Sequence, residues 1–96
     1  MIIELEETKQ WIRIDENDED VIINTIVNAA EEYLKGATGK QFDSTNYRAK
    51  LFCLVLATDW YENRELIGSK PSEKVRFSIQ SMLIQLQNMP EVSQNG

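Results

Sequence analysis

The apolar residues between positions 20 and 35 recur at the spacing of an α-helix, and this pattern restricts the possible folds more than any other feature of the chain. Two neighbouring stripes run along the segment, one of Ile22, Ile26, Ala29 and Tyr33 and the other of Ile23, Val27, Ala30 and Leu34. Such a broad apolar face is typical of a helix buried among other helices. Gly36 and Gly39 follow as C-terminal stops, so we predict a core helix from Asp20 to about Lys35.

Helical spacing continues in the segments on both sides of this helix. A short first helix is predicted over residues 5–13, and a third helix over about 45–65 with Asp43 or Ser44 as its N-cap. The middle of the third helix, "LFCLVLA", is apolar on every side. That composition indicates a central helix surrounded by the others.

A fourth helix is predicted over about 73–88, after a turn in which Pro71 lies near the first helical residue and Ser69 or Ser72 acts as the cap. Its core stripe consists of Val75, Ile79, Met82, Leu86 and Met89. The predicted fold is therefore all-α, a compact bundle of about four helices with a short N-terminal helix and a long, buried, central third helix. Residues 1–89 should form this single domain, followed by a flexible C-terminal tail over 90–96.

The composition is poor in the residues that enzymes and metal sites use. The 96 residues include no histidine and one cysteine, Cys53, which we interpret as a small core residue. Without histidine the chain lacks the commonest general base and the usual zinc ligand sets. Glu31, Glu32 and Glu62 could form a helical carboxylate site, but its companion Glu-x-x-His motif is impossible here. We expect no catalytic residue, no cofactor and no metal ion.

Nothing in the sequence indicates a membrane protein. No run of eighteen apolar residues occurs, and the opening "MIIELEETKQW" lacks the basic region of a signal peptide. We therefore expect no contact with a membrane.

Acidic residues are concentrated near the N-terminus. The formal net charge of −6 divides into −7 for residues 1–36 and +1 for residues 37–96. Five carboxylates lie within six positions, namely Asp15, Glu16, Asp18, Glu19 and Asp20. Because such a surface repels phosphate, sequence-specific binding of DNA is not expected.

A calcium loop is the sharpest interpretation of this acidic cluster, and the spacing argues against it. Asp15, Asn17 and Glu19 match the first ligand positions of an EF-hand. The required glycine is replaced by Asp20, however, and the required bidentate glutamate by Ile26.

Helix capping accounts for part of the cluster. Asn17 or Asp18 can cap the second helix, and acidic residues in its first turn stabilise the helix because they lie at the positive end of its dipole. The remaining carboxylates form either a solvated corner or a patch presented to a partner.

Two segments resemble one known family. The first has Leu5, Lys9, Trp11–Ile12, the acidic turn, Ala29–Ala30 and Thr38–Gly39 in order, and the second is "WYENRE" at the end of the third helix. Over residues 3–89 the chain resembles the head–tail connector proteins of long-tailed phages and prophages, also called adaptor or "DNA packaging" proteins. The chain departs from many members in its fourth helix, where they carry a proline and a more basic C-terminal segment.

The resemblance implies a structural virion protein made in the bacterial host cytoplasm. Its subunits would form a homo-oligomeric ring at the head–tail junction, under the portal protein. The ring would help complete DNA-filled heads and join them to a tail-side completion protein. DNA would pass through the ring without sequence-specific binding.

Candidate contact residues follow from side-chain type and position. Phe77 and Ile84 project away from the core stripe of the fourth helix, so they either form a subunit or portal interface or pack under the N-terminal helix. Trp60, Tyr61 and Arg64 are of the types enriched at interfaces, although a tryptophan here also suits the core. The acidic cluster is a candidate lining for the channel or a contact with a neighbouring subunit.

The alternative function is a small acidic helical regulator that binds one protein partner and forms no ring. A related version is a DNA mimic, which needs carboxylates spread across a face at phosphate-like intervals. The concentration of acidic residues near the N-terminus disfavours the mimic.

Overall fold

Four α-helices account for most of the residues 1–90 that a computed structural model of the protein describes. They are α1 (Leu5–Ile12), α2 (Asp20–Thr38), α3 (Tyr47–Glu62) and α4 (Arg76–Gln87). A 3₁₀ turn, Arg64–Leu66, follows α3, and the described residues contain no strand. The prediction of an all-α bundle is confirmed. Apart from Pro90, the predicted tail lies outside the described residues.

Helices α2 and α3 form a central antiparallel pair. Glu19, just before α2, is hydrogen-bonded to Tyr61 near the end of α3. Helix α4 then runs antiparallel to α3, because Gln85 near its end bonds to Arg48 near the start of α3. The Gln87 amide also donates to the carbonyl of Ala37, at 3.2 Å, so the ends of α4 and α2 lie together.

The core lies mainly between α2 and α3, as the two apolar patterns predict. Helix α3 buries seven apolar side chains, namely Ala49, Phe52, Cys53, Leu54, Leu56, Ala57 and Trp60. From α2 the buried set is Ile23, Ile26, Val27, Ala30 and Leu34. Leu51 is the exception in the apolar run of α3, since its side chain is exposed.

Helices α1 and α4 both pack against the central pair. Each of them contacts both α2 and α3, and no contact joins α1 to α4 within the described part of the chain. Helix α1 begins with a capping box between Glu4 and Glu7 and ends at Arg13, whose φ is +72°. Ahead of it, the N–H groups of Ile2 and Ile3 donate to the Glu31 carboxylate of α2 at 3.0 and 3.1 Å.

Two helix boundaries around the α2–α3 loop differ from the predictions. Helix α2 continues through Gly36 and ends at Thr38, because only Gly39 adopts the left-handed conformation, with φ +70°, that ends it. The N-cap of α3 is Asn46, whose side chain accepts from the N–H of Ala49 at 3.0 Å. Asp43 instead accepts from the N–H of Thr45 within the loop.

The start of α4 was also predicted too early. The helix begins at Arg76, and neither Ser69 nor Ser72 caps it. Both the N–H and the hydroxyl of Ser72 donate to the buried carboxylate of Asp59 in α3, so this serine anchors the connection to α3. Of the described helices, none has the length and apolar content needed to cross a bilayer.

Candidate functional site

One carboxylate of the acidic cluster forms an ion pair with a buried lysine. Lys9 of α1 is only 3% exposed, and its ammonium lies 2.7 Å from the side-chain oxygen of Asn17 and 2.7 Å from the Asp20 carboxylate. The bond to Asp20 raises the pKa of Lys9 above its usual value. The partly exposed Asp20 therefore holds α1 against the start of α2.

Glu19 joins the start of α2 to the end of α3. It accepts a hydrogen bond from the Tyr61 hydroxyl and lies 2.5 Å from the guanidinium of Arg64, which also stacks 5.3 Å from the centre of the Tyr61 ring. The Tyr61 hydrogen bond, and then Arg64, lower the pKa of Glu19, and the same bond raises the pKa of Tyr61. Two candidate interface residues thus meet one candidate acidic residue at a single corner.

Three carboxylates of the cluster remain displayed. Asp15, Glu16 and Asp18 are exposed in the turn between α1 and α2. The expected capping of α2 by Asn17 or Asp18 is wrong, because the N-cap is Glu19 and no side chain makes the capping bond. Within residues 1–90, no group of three acidic, histidine or cysteine side chains could hold a metal ion.

Trp60 belongs to the core and offers no surface to a partner. Its side chain is fully buried, and its indole N–H donates to the carbonyl of Lys70 at 2.8 Å. The ring packs edge-on against Tyr33, with 5.8 Å between ring centres. We therefore remove Trp60 from the candidate contact residues.

Phe77 and Ile84 form an exposed apolar pair on α4, which we call the outer face of α4. Their side chains are 72% and 58% exposed, so the alternative that they pack under α1 is wrong. Seven residues of helix separate them by about 10 Å along the axis, on the same side. The guanidinium of Arg76 lies 5.0 Å from the centre of the Phe77 ring and extends the face with a positive charge.

Trp11 is an exposed aromatic residue that the sequence did not single out as a contact residue. It is 48% exposed at the C-terminal end of α1. Beside it is a shallow pocket of about 130 Å³ whose lining includes Val55 and Val75. The sequence contained one sign of this exposure, because helical spacing places Trp11 beside the apolar side of α1 and not on it.

The displayed groups at these surfaces are suited to protein contacts. They comprise an apolar pair with an arginine on α4, and a half-exposed tryptophan followed by three free carboxylates at the end of α1. The arrangement supports binding between proteins.

Comparison with known proteins identifies the family. No curated protein and no solved structure matches the chain. The family model described as Phage gp6-like head-tail connector protein matches residues 2–89, nearly all of the described chain and all four helices. The resemblance seen in the sequence is confirmed, and the chain belongs to the phage head–tail connector family.

Proposed function

We propose that the chain is the repeating subunit of a ring that lies under the portal protein and joins a DNA-filled phage head to its tail. Membership of the connector family makes the protein a structural virion component and not an enzyme, and implies contacts with other head and tail proteins. The ring, its position and its individual partners are our extension of that role.

The observation that carries the proposal is the outer face of α4. The exposed side chains of Phe77 and Ile84 do not stabilise an isolated subunit, because apolar groups stabilise a fold only when they are removed from water. Their exposure is explained if the face is covered in an assembly. Tyr61 and Arg64, both partly exposed, are further candidates for a subunit or portal contact.

The other partners follow from the same position in the virion. One side of the ring would contact the portal protein, and the other a tail-side completion protein. DNA would pass through the centre without sequence-specific contacts, in keeping with the net charge of −6. The subunit would be made in the bacterial host cytoplasm before it joins the virion.

Assembly of the purified chain tests the proposal directly. Its mass distribution should be measured over a wide concentration range, both alone and with portal-bearing heads, and large species should be imaged by negative stain. Rings with a central hole are expected in at least one of these conditions. A subunit that stays monomeric and does not bind heads would contradict the proposal.

A double variant tests the role of the outer face. Phe77→Asp with Ile84→Asp should keep the helical circular dichroism spectrum, because both positions are exposed, and should abolish rings and head completion. Replacing Asn24 and Asn28, exposed on α2, by aspartate gives a charge-matched control. Completion of heads by a folded Phe77/Ile84 variant would show that this face is not an assembly surface.

A further inference from the structure

The positions of α1 and α4 on the subunit suit a head-to-tail contact. Both helices pack against the α2–α3 pair, and within residues 1–90 they make no contact with each other. A ring of identical subunits needs two unlike surfaces that fit each other, because each copy uses one surface toward the next copy and the other toward the previous copy. The two flanking helices supply such a pair of surfaces.

The surface on the α4 side combines two exposed apolar groups with an arginine, and Glu73 lies just before the helix. Helix α4, Arg76–Gln87, contains one arginine and no aspartate or glutamate. Its exposed apolar groups are Phe77 and Ile84, and the Arg76 guanidinium lies against the Phe77 ring. Arg76 has one ion-pair partner, Glu73, at 3.4 Å, and both of these side chains are more than half exposed. Such an exposed pair holds its arginine weakly.

The surface on the α1 side is acidic and includes an exposed aromatic ring. Trp11 lies four residues before Asp15, and the exposed carboxylates of this side are Glu4, Glu6, Asp15, Glu16 and Asp18. Lys9 is buried against Asp20, so it does not neutralise them at the surface. Arg13 is the one exposed base between Glu4 and Asp18.

We infer that the outer face of α4 in one copy packs against Trp11 and the acidic turn of the next copy. Phe77 contacts Trp11, and Arg76 pairs with the carboxylates of Asp15, Glu16 and Asp18. Opposite charges and two aromatic rings then meet across the contact, and like charges would meet if two copies joined through the same surface. This inference rests on the proposed ring and names the partner surface within it.

Site-directed cross-linking tests the pairing. One chain carries Trp11→Cys and a second carries Phe77→Cys, and a short bismaleimide is added to each chain alone and to their mixture under ring-forming conditions. The native Cys53 is buried and its pKa is raised by burial, so the unchanged chain serves as an unreactive control. Only the mixture should give a cross-linked dimer, and a chain with both substitutions should give a ladder of covalent oligomers.

The outcomes separate this inference from the proposed function. Rings that form without the mixed cross-link, or with a cross-link in the Phe77→Cys chain alone, would overturn the pairing while the connector ring stands. The absence of rings both alone and on portal-bearing heads would overturn both. As a second measurement, Arg76→Glu should prevent ring formation, and combining it with Asp15→Lys, Glu16→Lys and Asp18→Lys should restore it. Failure to restore rings with folded chains would count against the charge pairing.

Discussion

At the scale of single residues, Lys9 is the group on which the acidic turn depends. Its buried ammonium bridges Asn17 and Asp20 at 2.7 Å each, so removing the charge leaves Asp20 without its cation. Lys9→Met keeps most of the apolar stem and should lower the melting temperature measured by circular dichroism. Lys35→Met, at an exposed position of α2, is the matched control and should melt like the original chain. Equal melting temperatures for both variants would show that the bridge does not contribute to stability.

Glu19 gives the protein a predictable dependence on pH. Because its pKa in the folded chain lies below the ordinary 4.5, its contribution is complete above about pH 4.5 and is lost as the pH falls through the folded value. Glu7, whose pKa is lowered chiefly by its bond with Lys50, acts in the same direction. Glu19→Gln should therefore flatten the decrease in melting temperature between pH 6 and pH 3, in the range set by these carboxyl groups.

The control for the Glu19→Gln experiment changes Asp15, a carboxylate of the same turn that does not bond to Tyr61 or Arg64. Asp15→Asn removes one exposed negative charge and leaves the bonds of Tyr61 and Arg64 to Glu19 in place. Its melting temperature should decrease with falling pH as steeply as that of the original chain. If the melting temperature of Glu19→Gln depended on pH as that of the original chain does, the bonds of Tyr61 and Arg64 to Glu19 would not persist in solution.

At the scale of the helices, the connection between α3 and α4 depends on one buried carboxylate. Asp59 accepts from the N–H of Ser72 at 2.8 Å and from its hydroxyl, and it lies 3.3 Å from the amide nitrogen of Asn63. Asp59→Ala would leave buried donors without an acceptor, which costs about 1–3 kcal/mol of unfolding free energy. Urea denaturation measures this change, with Glu65→Ala at an exposed position of the 3₁₀ turn as the control. A change below about 0.5 kcal/mol, typical of surface substitutions, would contradict the assigned role.

The helices themselves were predictable, but the long-range contacts that position their ends were not. The two stripes of α2 and the apolar run of α3 predicted their burial because helical periodicity is a local property. The start of α4 was missed because Ser72 bonds to Asp59, thirteen residues earlier, instead of capping the next helix. Gly36 does not end α2, since a glycine stops a helix only where the chain adopts a positive φ, as at Gly39.

The candidate surfaces were predictable to the extent that side-chain direction follows from helical spacing. Phe77 and Ile84 are opposite the core stripe of α4, as that spacing suggested, and the structure decides between the two alternatives by showing them exposed. Trp60 was ambiguous because residue type suits both a core and an interface, and only tertiary packing decides between them. The division of the acidic cluster was unpredictable for the same reason, since Lys9 and Arg64 reach it from other elements.

At the scale of the whole molecule, the exposed carboxylates of the acidic turn have two candidate roles, as a lining of the DNA channel or as a contact with the next subunit. A channel lining would keep DNA from binding to the wall, whereas a contact with the next subunit would attract its positive surface. Both uses predict an effect of reversing Asp15, Glu16 and Asp18 to lysine, but the effects differ. A channel variant would assemble and hold its DNA tightly, and a contact variant would fail to assemble.

Reversal of these three carboxylates should prevent ring formation, because Arg76 and the acidic turn would then repel each other across the proposed contact. Each reversal adds two units of charge to the formal net charge of −6, so the triple variant is neutral overall and prone to aggregate.

The control combines Asp15→Asn, Glu16→Gln and Asp18→Asn, so it keeps a net negative charge and removes only the attraction. Its rings should form more weakly than those of the original chain and lose most of their dependence on salt. The measurements are the ring mass at several salt concentrations and the DNA retained by completed heads. Normal rings, DNA retention and infectivity with the lysine variant would exclude both uses and leave the turn as a solvated corner.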